Sequence, residues 1–410
     1  MGAPAAVRPV PAPRTEEDEP AVVRDSEELA RVVREVAEDL ATDAVPRERA
    51  GRPPYDEVAR LREAGLLGLL VPREHGGAGA DWRAALAAVR QVAAVDAAIG
   101  QLLGNHYFLS YGPRFFASPT LATRVERESA AGAWCWGGAY ETPGEPLILS
   151  PGPEGYLLDG RQCFATGARV ADRLAVRARR ADSGEPLAVL VDPEHPGVVR
   201  EAPTDTFGQR LAGGCGVVFD AVPVGLPQVF GSLSADEGVL SPFATLAVPT
   251  GLLVSAQLCV GIAEGVLAEV REYRRAVRSP WEGPPSQDPH ELSTYGELVV
   301  AARSSAALTD QATQGLLEGL ALGEDLTDEQ AAEIATLAAT AEAAATRAAQ
   351  DVSSRALEVV GACSAASEQG LDRFWRNART RALHTPTPRR LREVGDHLLN
   401  GSHPPFALPC

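Results

Sequence analysis

Residues 371–401 read LDRFWRNARTRALHTPTPRRLREVGDHLLNG, a texture found nowhere else in the chain. Seven arginines fall between Arg373 and Arg392 with no acid among them, in a 410-residue chain whose formal net charge is -17. An all-basic run in an acidic chain is a solvated helix face, a contact for an acidic surface of another subunit, or a site for an anionic ligand. Trp375, Asn377 and His384 share the window. They add an aromatic wall, an amide with donors and acceptors, and an imidazole that titrates near neutral pH. That mixture points to a binding site.

The rest of the chain bounds what such a site can do. A length of 410 residues exceeds one hydrophobic core, so two or three subdomains are expected. With 45% hydrophobic and 23% charged residues the chain is globular. No uninterrupted apolar run is long enough to read as a spanning helix, and the N-terminal MGAPAAVRPVPAPRTEEDEP lacks an apolar signal core. A cytoplasmic protein with no membrane partner is expected. Lysine is absent, which excludes pyridoxal-phosphate enzymes, with their Schiff-base lysine, and Walker A nucleotide loops. The acidity argues against a nucleic-acid partner. The six cysteines are scattered without CxxC and read as reduced core thiols, and the seven histidines show no metal-ligand spacing.

Residues 1–24 are Pro-rich, then acidic, and read as a disordered tail. Asp25 with Glu28 makes a capping box, and Leu29, Val32, Val33, Val36 and Leu40 then recur on one helical face. A second helix near Tyr55–Ala64 ends at Gly65, and the Gly-rich EHGGAG at 74–79 lacks dinucleotide-loop spacing and reads as a connection. From Trp82 to Ser118 the Ala-rich pattern is helical and carries Asn105, His106 and Tyr107; by position His106 is either a packed core residue or a site residue. Between 131 and 235 short alternating runs broken by Gly, Pro and Asp predict an antiparallel domain, with Asp159-Gly160 as a hairpin turn. Long helices follow at about 252–278, stopped by Pro280, at about 290–320, and from a Thr327/Gln330 capping box to Gly361. The domains are thus 25–130 helical, 131–235 β and 236–400 a helical bundle, with a tail at 401–410.

This order, an α+β chain that is mostly α, resembles the acyl-CoA dehydrogenase fold over about residues 25–405: N-terminal helical domain, middle antiparallel β-barrel, C-terminal four-helix bundle. Within it, WRNARTRALH at 375–384 is similar to the WRNxRTxxLH stretch of the two-component flavin monooxygenase branch, that of dibenzothiophene monooxygenases and related N-hydroxylases. GNHY at 104–107, FATG at 164–167, FGQR at 207–210 and GIAEG at 261–265 are weaker matches. The resemblance implies flavin bound between barrel and bundle, as reduced FMN or FAD. It implies His384 and His106 as hydrogen-bonding or proton-accepting groups, Thr166 near the flavin ring, and Arg278, Arg376, Asn377, Trp136 and Tyr140 as cofactor contacts. Arg278 as a helix C-terminal charge and Arg376 as a subunit bridge are the structural alternatives. Relatives assemble through the bundle, so a homotetramer or homodimer is implied.

The two enzyme classes on this fold need different groups. A dehydrogenase needs a carboxylate base beside the flavin. The resemblance puts that acid either after the Arg-rich helix, where this chain has His384-Thr385-Pro386, or at the start of the long helix, where it has Pro249-Thr250-Gly251. An oxygenase needs reduced flavin, O2 and a dry pocket with neutral donors. With no NAD(P)-binding pattern in the chain, reduced flavin must come from a separate NAD(P)H flavin reductase. The expected activity is oxygenation of nitrogen, sulfur or aromatic carbon in a small organic substrate. An acyl-CoA dehydrogenase-type oxidoreductase and a flavin-free scaffold are the alternatives. Thr204-Asp205-Thr206 before GQR, Leu211-Ala212-Gly213-Gly214 after it, and Phe374 depart from the branch pattern.

Overall fold

A computed structural model describes residues 26–140, 144–234, 240–276, 288–384 and 386–408. The tail, the Asp25 cap, Arg278 and the stop at Pro280 lie outside these residues, as do the side chains of Cys363 and Cys410. Cys135, Cys215 and Cys259 are buried thiols, as expected, and Cys163 is partly buried.

The N-terminal helices are α1 (Ser26–Thr42), α2 (Ala44–Ala50), α3 (Tyr55–Glu63), α4 (Trp82–Val95), α5 (Ala97–Phe116) and α6 (Pro119–Gly132). Helix α1 buries Leu29, Val33 and Leu40 on the face its spacing predicts. Residues 82–118 are helical, as the Ala-rich pattern predicts, and divide into two helices. Asp96 sits between them in extended conformation, and its carboxylate caps α5 by accepting the Ala98 and Ile99 N–H groups, both at 3.1 Å. An Asp inside an Ala-rich pattern was the sequence signal for that break.

Eight strands follow: β1 (Trp136–Ala139), β2 (Leu147–Gly152), β3 (Gly155–Ala165), β4 (Arg173–Arg180), β5 (Pro186–Val191), β6 (Val198–Pro203), β7 (Cys215–Gly225) and β8 (Val229–Ser232). They form one mixed sheet in the order β6-β7-β3-β2-β4-β5-β8, where an antiparallel barrel was expected. The sheet is open, because β6 and β8 do not pair with each other. It is mixed, because β4 takes β1 along its first half and β2 along its second, both parallel. Asp159-Gly160 is not the hairpin turn. The turn lies at Pro153-Glu154, between the paired Gly152 and Gly155. Gly160, at φ 125°, falls at a bulge in β3, where the Asp159 carboxylate accepts the Ala221 N–H at 2.8 Å. Alternation splits the strands between two cores: Leu174, Val176, Leu187 and Val189 fill the sheet's own core, while Ala175, Ala188 and Leu190 face the helical core.

The C-terminal part holds α7 (Ala247–Ala276), α8 (Pro289–Leu322), α9 (Asp328–Val360), α10 (Asp372–His384) and α11 (Thr387–Asn400). Helices α7, α8 and α9 pack on one another, and α10 and α11 pack on α9. The Thr327/Gln330 capping box forms as predicted. Residues 243–276 are long and apolar enough to cross a bilayer, yet 89% of their most apolar window is buried inside the protein, so this is the core helix. The GIAEG match is a packing device: a Cβ on Gly261 would stand 2.4 Å from the Arg90 carbonyl oxygen and one on Gly265 2.0 Å from that of Ala94. The two glycines let α7 press directly on the α4 backbone.

Candidate active site

A cavity of about 780 Å³ opens where the helical domain, the sheet and the C-terminal helices meet. Helices α5 and α7 give it an apolar wall through Phe108, Leu109, Leu252, Val254 and Leu258, relieved by Gln101, Asn105 and Ser255. The sheet contributes Tyr140 and Thr166, just beyond the ends of β1 and β3, and Phe164. The loop 205–207 adds Asp205, Thr206 and Phe207, and α10 and α11 add Thr380, Arg381, His384, Arg389 and Arg390. This size and mixture suit a small-molecule or cofactor site.

The sheet end is held by short bonds. Gly138 and Thr166 form a β-bridge, and the Asn105 amide donates to the carbonyl oxygens of both at 3.3 Å. Phe164 adopts φ 53°, a conformation that costs a bulky residue roughly 1–3 kcal/mol. Its ring meets the His384 ring edge-on, with centroids 6.1 Å apart. The strain sets an aromatic group against the one histidine that lines the cavity.

His384 ends α10 and lines the cavity. Its side chain is exposed at the cavity, with protein packed around much of the ring. Desolvation, then the neighbouring Arg381 charge, push its pKa down to about 4, so the imidazole is neutral at pH 7. Among the described residues neither ring nitrogen has a hydrogen-bond partner. Both remain available for a ligand.

His106 does not reach the cavity, contrary to its expected role. It is fully buried, with Nε2 2.9 Å from the Leu67 carbonyl oxygen and Nδ1 accepting the Trp136 N–H at 3.1 Å. That pairing fixes the neutral tautomer with the proton on Nε2, and burial lowers the pKa to about 4. The ring clips the 3-10 turn at Leu66–Gly68 to β1. Trp136 is likewise internal: its indole donates to Ser129 Oγ at 2.9 Å and lines no part of the cavity.

The Trp-Arg-Asn part of the basic stretch does not line the cavity either; it clasps the FGQR loop. Asn377 Oδ1 accepts the Gln209 N–H at 2.6 Å, Arg376 donates to the Phe207 carbonyl oxygen at 2.8 Å, and Trp375 stacks on Phe207 with centroids 6.0 Å apart. Gly208 lies so close to α10 that a Cβ there would fall 2.1 Å from the Arg376 carbonyl oxygen. Arg376 also pairs with buried Glu48 at 2.6 Å and with Asp372 at 2.9 Å. Its charge is satisfied by the protein, and with Asn377 it positions the loop that carries Asp205, Thr206 and Phe207 to the rim. Asn377, Thr380, Arg381 and His384 share one face of α10 by their i, i+3, i+4, i+7 spacing. That spacing was the available signal for Arg381, which sequence reasoning passed over along with Asn105, Phe164, Asp205, Arg389 and Arg390.

The cavity suits a large polar-edged ring system. Gln101 Oε1, Tyr140 Oη and Thr380 Oγ1 are buried without hydrogen-bond partners in residues that line it. A group with donors and acceptors around a flat apolar body, such as a flavin, matches such a lining. Burial also raises the Tyr140 phenol well above its ordinary range, so it stays a neutral donor.

Comparison with known proteins agrees with this architecture. Family models for the acyl-CoA dehydrogenase N-terminal domain and C-terminal domain match residues 24–123 and 253–388. A dibenzothiophene monooxygenase of Rhodococcus qingshengii is 32% identical over 96% of this chain and 98% of its own length. The probable FMNH2-dependent monooxygenase SfnC of Pseudomonas putida is 31% identical over 91% and 95%. The crystal structure of FMN-bound TdsC from Paenibacillus sp. A11-2 superposes with a TM-score of 0.87 at 31% identity, covering 92% of this chain and 98% of TdsC. By these matches this chain belongs to the acyl-CoA dehydrogenase family, in the branch that contains dibenzothiophene monooxygenase.

Proposed function

We propose that this chain is a flavin-dependent monooxygenase that takes reduced FMN from a separate flavin reductase and uses O2 to oxygenate a small organic substrate in the cavity described. The observation that carries the reading is His384. A neutral imidazole with both nitrogens open lines the cavity at the position where the dehydrogenase reaction requires an acid. Gly251, at the other such position, also lines it, and Thr250 is buried and donates to the Leu246 carbonyl oxygen. Relatives named for FMN and FMNH2 support FMN over FAD.

Bound reduced FMN supplies the electrons that activate O2. Thr166, with Asn105 and the partly exposed Gln101 on α5, would face its polar edge. The aromatic and aliphatic wall of α5 and α7 excludes water, which protects reactive oxygen from proton loss and gain. His384, neutral at pH 7, would take a proton from a substrate N–H under attack and release it toward the second oxygen atom of O2, which leaves as water. A sulfur substrate brings no proton, and there the ring would act as a hydrogen-bond donor, while the Arg381 charge beside it keeps the ring from retaining a proton. With domain boundaries at about 130 and 235, this chemistry would fall where the three parts meet. Exposed Leu398 and Leu399 on α11, 83% and 82% accessible, and Val300 on α8 support assembly as a homotetramer or homodimer.

Purified protein is expected to bind FMN and to oxidise indole, dibenzothiophene or a primary amine only when reduced flavin and O2 are both supplied. Persistent inactivity with all three, with flavin demonstrably bound, would count against the proposal. One observation favours a second reading: Asp205 lines the cavity and is a carboxylate that a dehydrogenase could use as base. Anaerobic bleaching of bound flavin by acyl-CoA thioesters, abolished in D205N, would establish that reading instead.

A further inference from the structure

The cavity has a cationic side that the flavin reaction as described does not use. Arg389 and Arg390 share one carboxylate, Glu393, at 3.2 and 2.5 Å. Arg390 is 5% exposed, yet its Nε is buried without a partner. Arg381 donates Nε to Ser255 Oγ at 3.0 Å, and among the described residues its Nη1 and Nη2 have no hydrogen-bond partner and no carboxylate. Ser255 is in turn tied to buried Glu342, whose Oε1 lies 3.3 Å from the hydroxyl. Glu342 lies outside the cavity lining and fixes the direction of Arg381 through Ser255. Asp205 is the carboxylate in the lining, with Glu393 and Glu342 behind it, yet none of these pairs directly with Arg381 among the described residues. Partly buried guanidiniums with open N–H groups are strong anion donors, because charge-assisted bonds are about twice as strong as neutral ones.

Resting on the reading of this cavity as the flavin and substrate site, we propose that Arg381, Arg389 and Arg390 form a binding subsite for an anionic group, carboxylate, sulfinate or phosphate, on a molecule whose aromatic or apolar body lies against Phe108, Phe164 and Phe207. Two sources supply that chemistry: an acidic substrate and the phosphate of FMN. Fork-shaped donors on neighbouring helices grip a planar or tetrahedral oxyanion at two points, which a neutral amide does not reproduce.

The test uses the full-length protein with 2-naphthoate and its neutral counterpart 2-naphthamide, each titrated with and without FMN, and FMN and riboflavin titrated alone. The acid is expected to bind at least about tenfold more tightly than the amide. R381Q removes most of that preference and leaves riboflavin binding unchanged. R389Q, on the more open rim, acts in the same direction and keeps the test available should R381Q fail to fold. If R381Q and R389Q weaken FMN but not riboflavin, the subsite stands and the cofactor phosphate is its ligand. Equal binding of acid and amide, with FMN and riboflavin both unaffected in the two variants, overturns the proposal. Failure of the wild type to bind either flavin strikes the flavin reading alone, and the naphthoate comparison without FMN then decides the arginine subsite.

Discussion

His106 and His384 have the same depressed pKa, about 4, and opposite roles. Desolvation is the first cause in both. His106 gives one nitrogen to the Leu67 carbonyl and the other to the Trp136 N–H, so its shift records a closed structural joint. His384 has neither nitrogen engaged among the described residues and stands in a cavity beside Arg381, so its shift goes with a ring that a ligand can reach. A perturbed histidine is a site candidate when at least one of its nitrogens faces a space that a ligand can enter.

Substitutions that separate the two residues put this contrast at risk. H384A is expected to lower substrate oxygenation by roughly 10²–10⁴-fold, the usual range for loss of a general acid–base group, with the melting temperature unchanged. H106A is expected to do the reverse first: two buried backbone groups lose partners at about 1–3 kcal/mol each, so denaturant unfolding shifts to markedly lower midpoint. If H106A melts like the wild type while losing activity, the contrast fails. N377A tests the clasp between α10 and the FGQR loop. Leaving the Gln209 N–H unpaired is expected to cost about 1–3 kcal/mol and to raise KM more than it lowers kcat, because the loop forms the rim and not the reacting centre.

The smallest effect is a pH dependence of stability. Both histidines have folded pKa values near 4 against 6.5 in the unfolded chain, so the unfolded state takes up more protons between those values. The stabilisation is complete above about pH 6.5 and is lost as pH falls toward 4. H106Q is expected to flatten the midpoint-versus-pH curve in that window, and equal slopes for wild type and variant would show that the buried ring does not titrate as its environment dictates.

Much of the fold was legible because its helices are long and strongly patterned, from Leu29–Leu40 to the Thr327/Gln330 cap. What misled was local chemistry that only tertiary context resolves. Asp159-Gly160 has the composition of a turn, but β7 supplies a backbone N–H for its carboxylate, and the pair becomes a bulge inside β3. Strand closure is not written in alternation, so a barrel was expected where the sheet stays open. The basic stretch does reach the cavity, but only some of the residues singled out in it line that space. Trp375, Arg376 and Asn377 carry the motif's distinctive letters, yet they face the FGQR loop. The following turn, Thr380, Arg381 and His384, faces the cavity. Spacing along a helix tells which residues share a face but not which neighbour that face meets.

The most direct test of the account is a single turnover with ¹⁸O₂. Protein loaded anaerobically with reduced FMN is mixed with labelled oxygen and either indole or dibenzothiophene, for wild type and H384A. The account expects one labelled oxygen atom in the organic product of the wild type and little or none with H384A, whose flavin binding is intact. Label appearing only in hydrogen peroxide for the wild type with both substrates, alongside flavin bleaching by acyl-CoA thioesters, would contradict it.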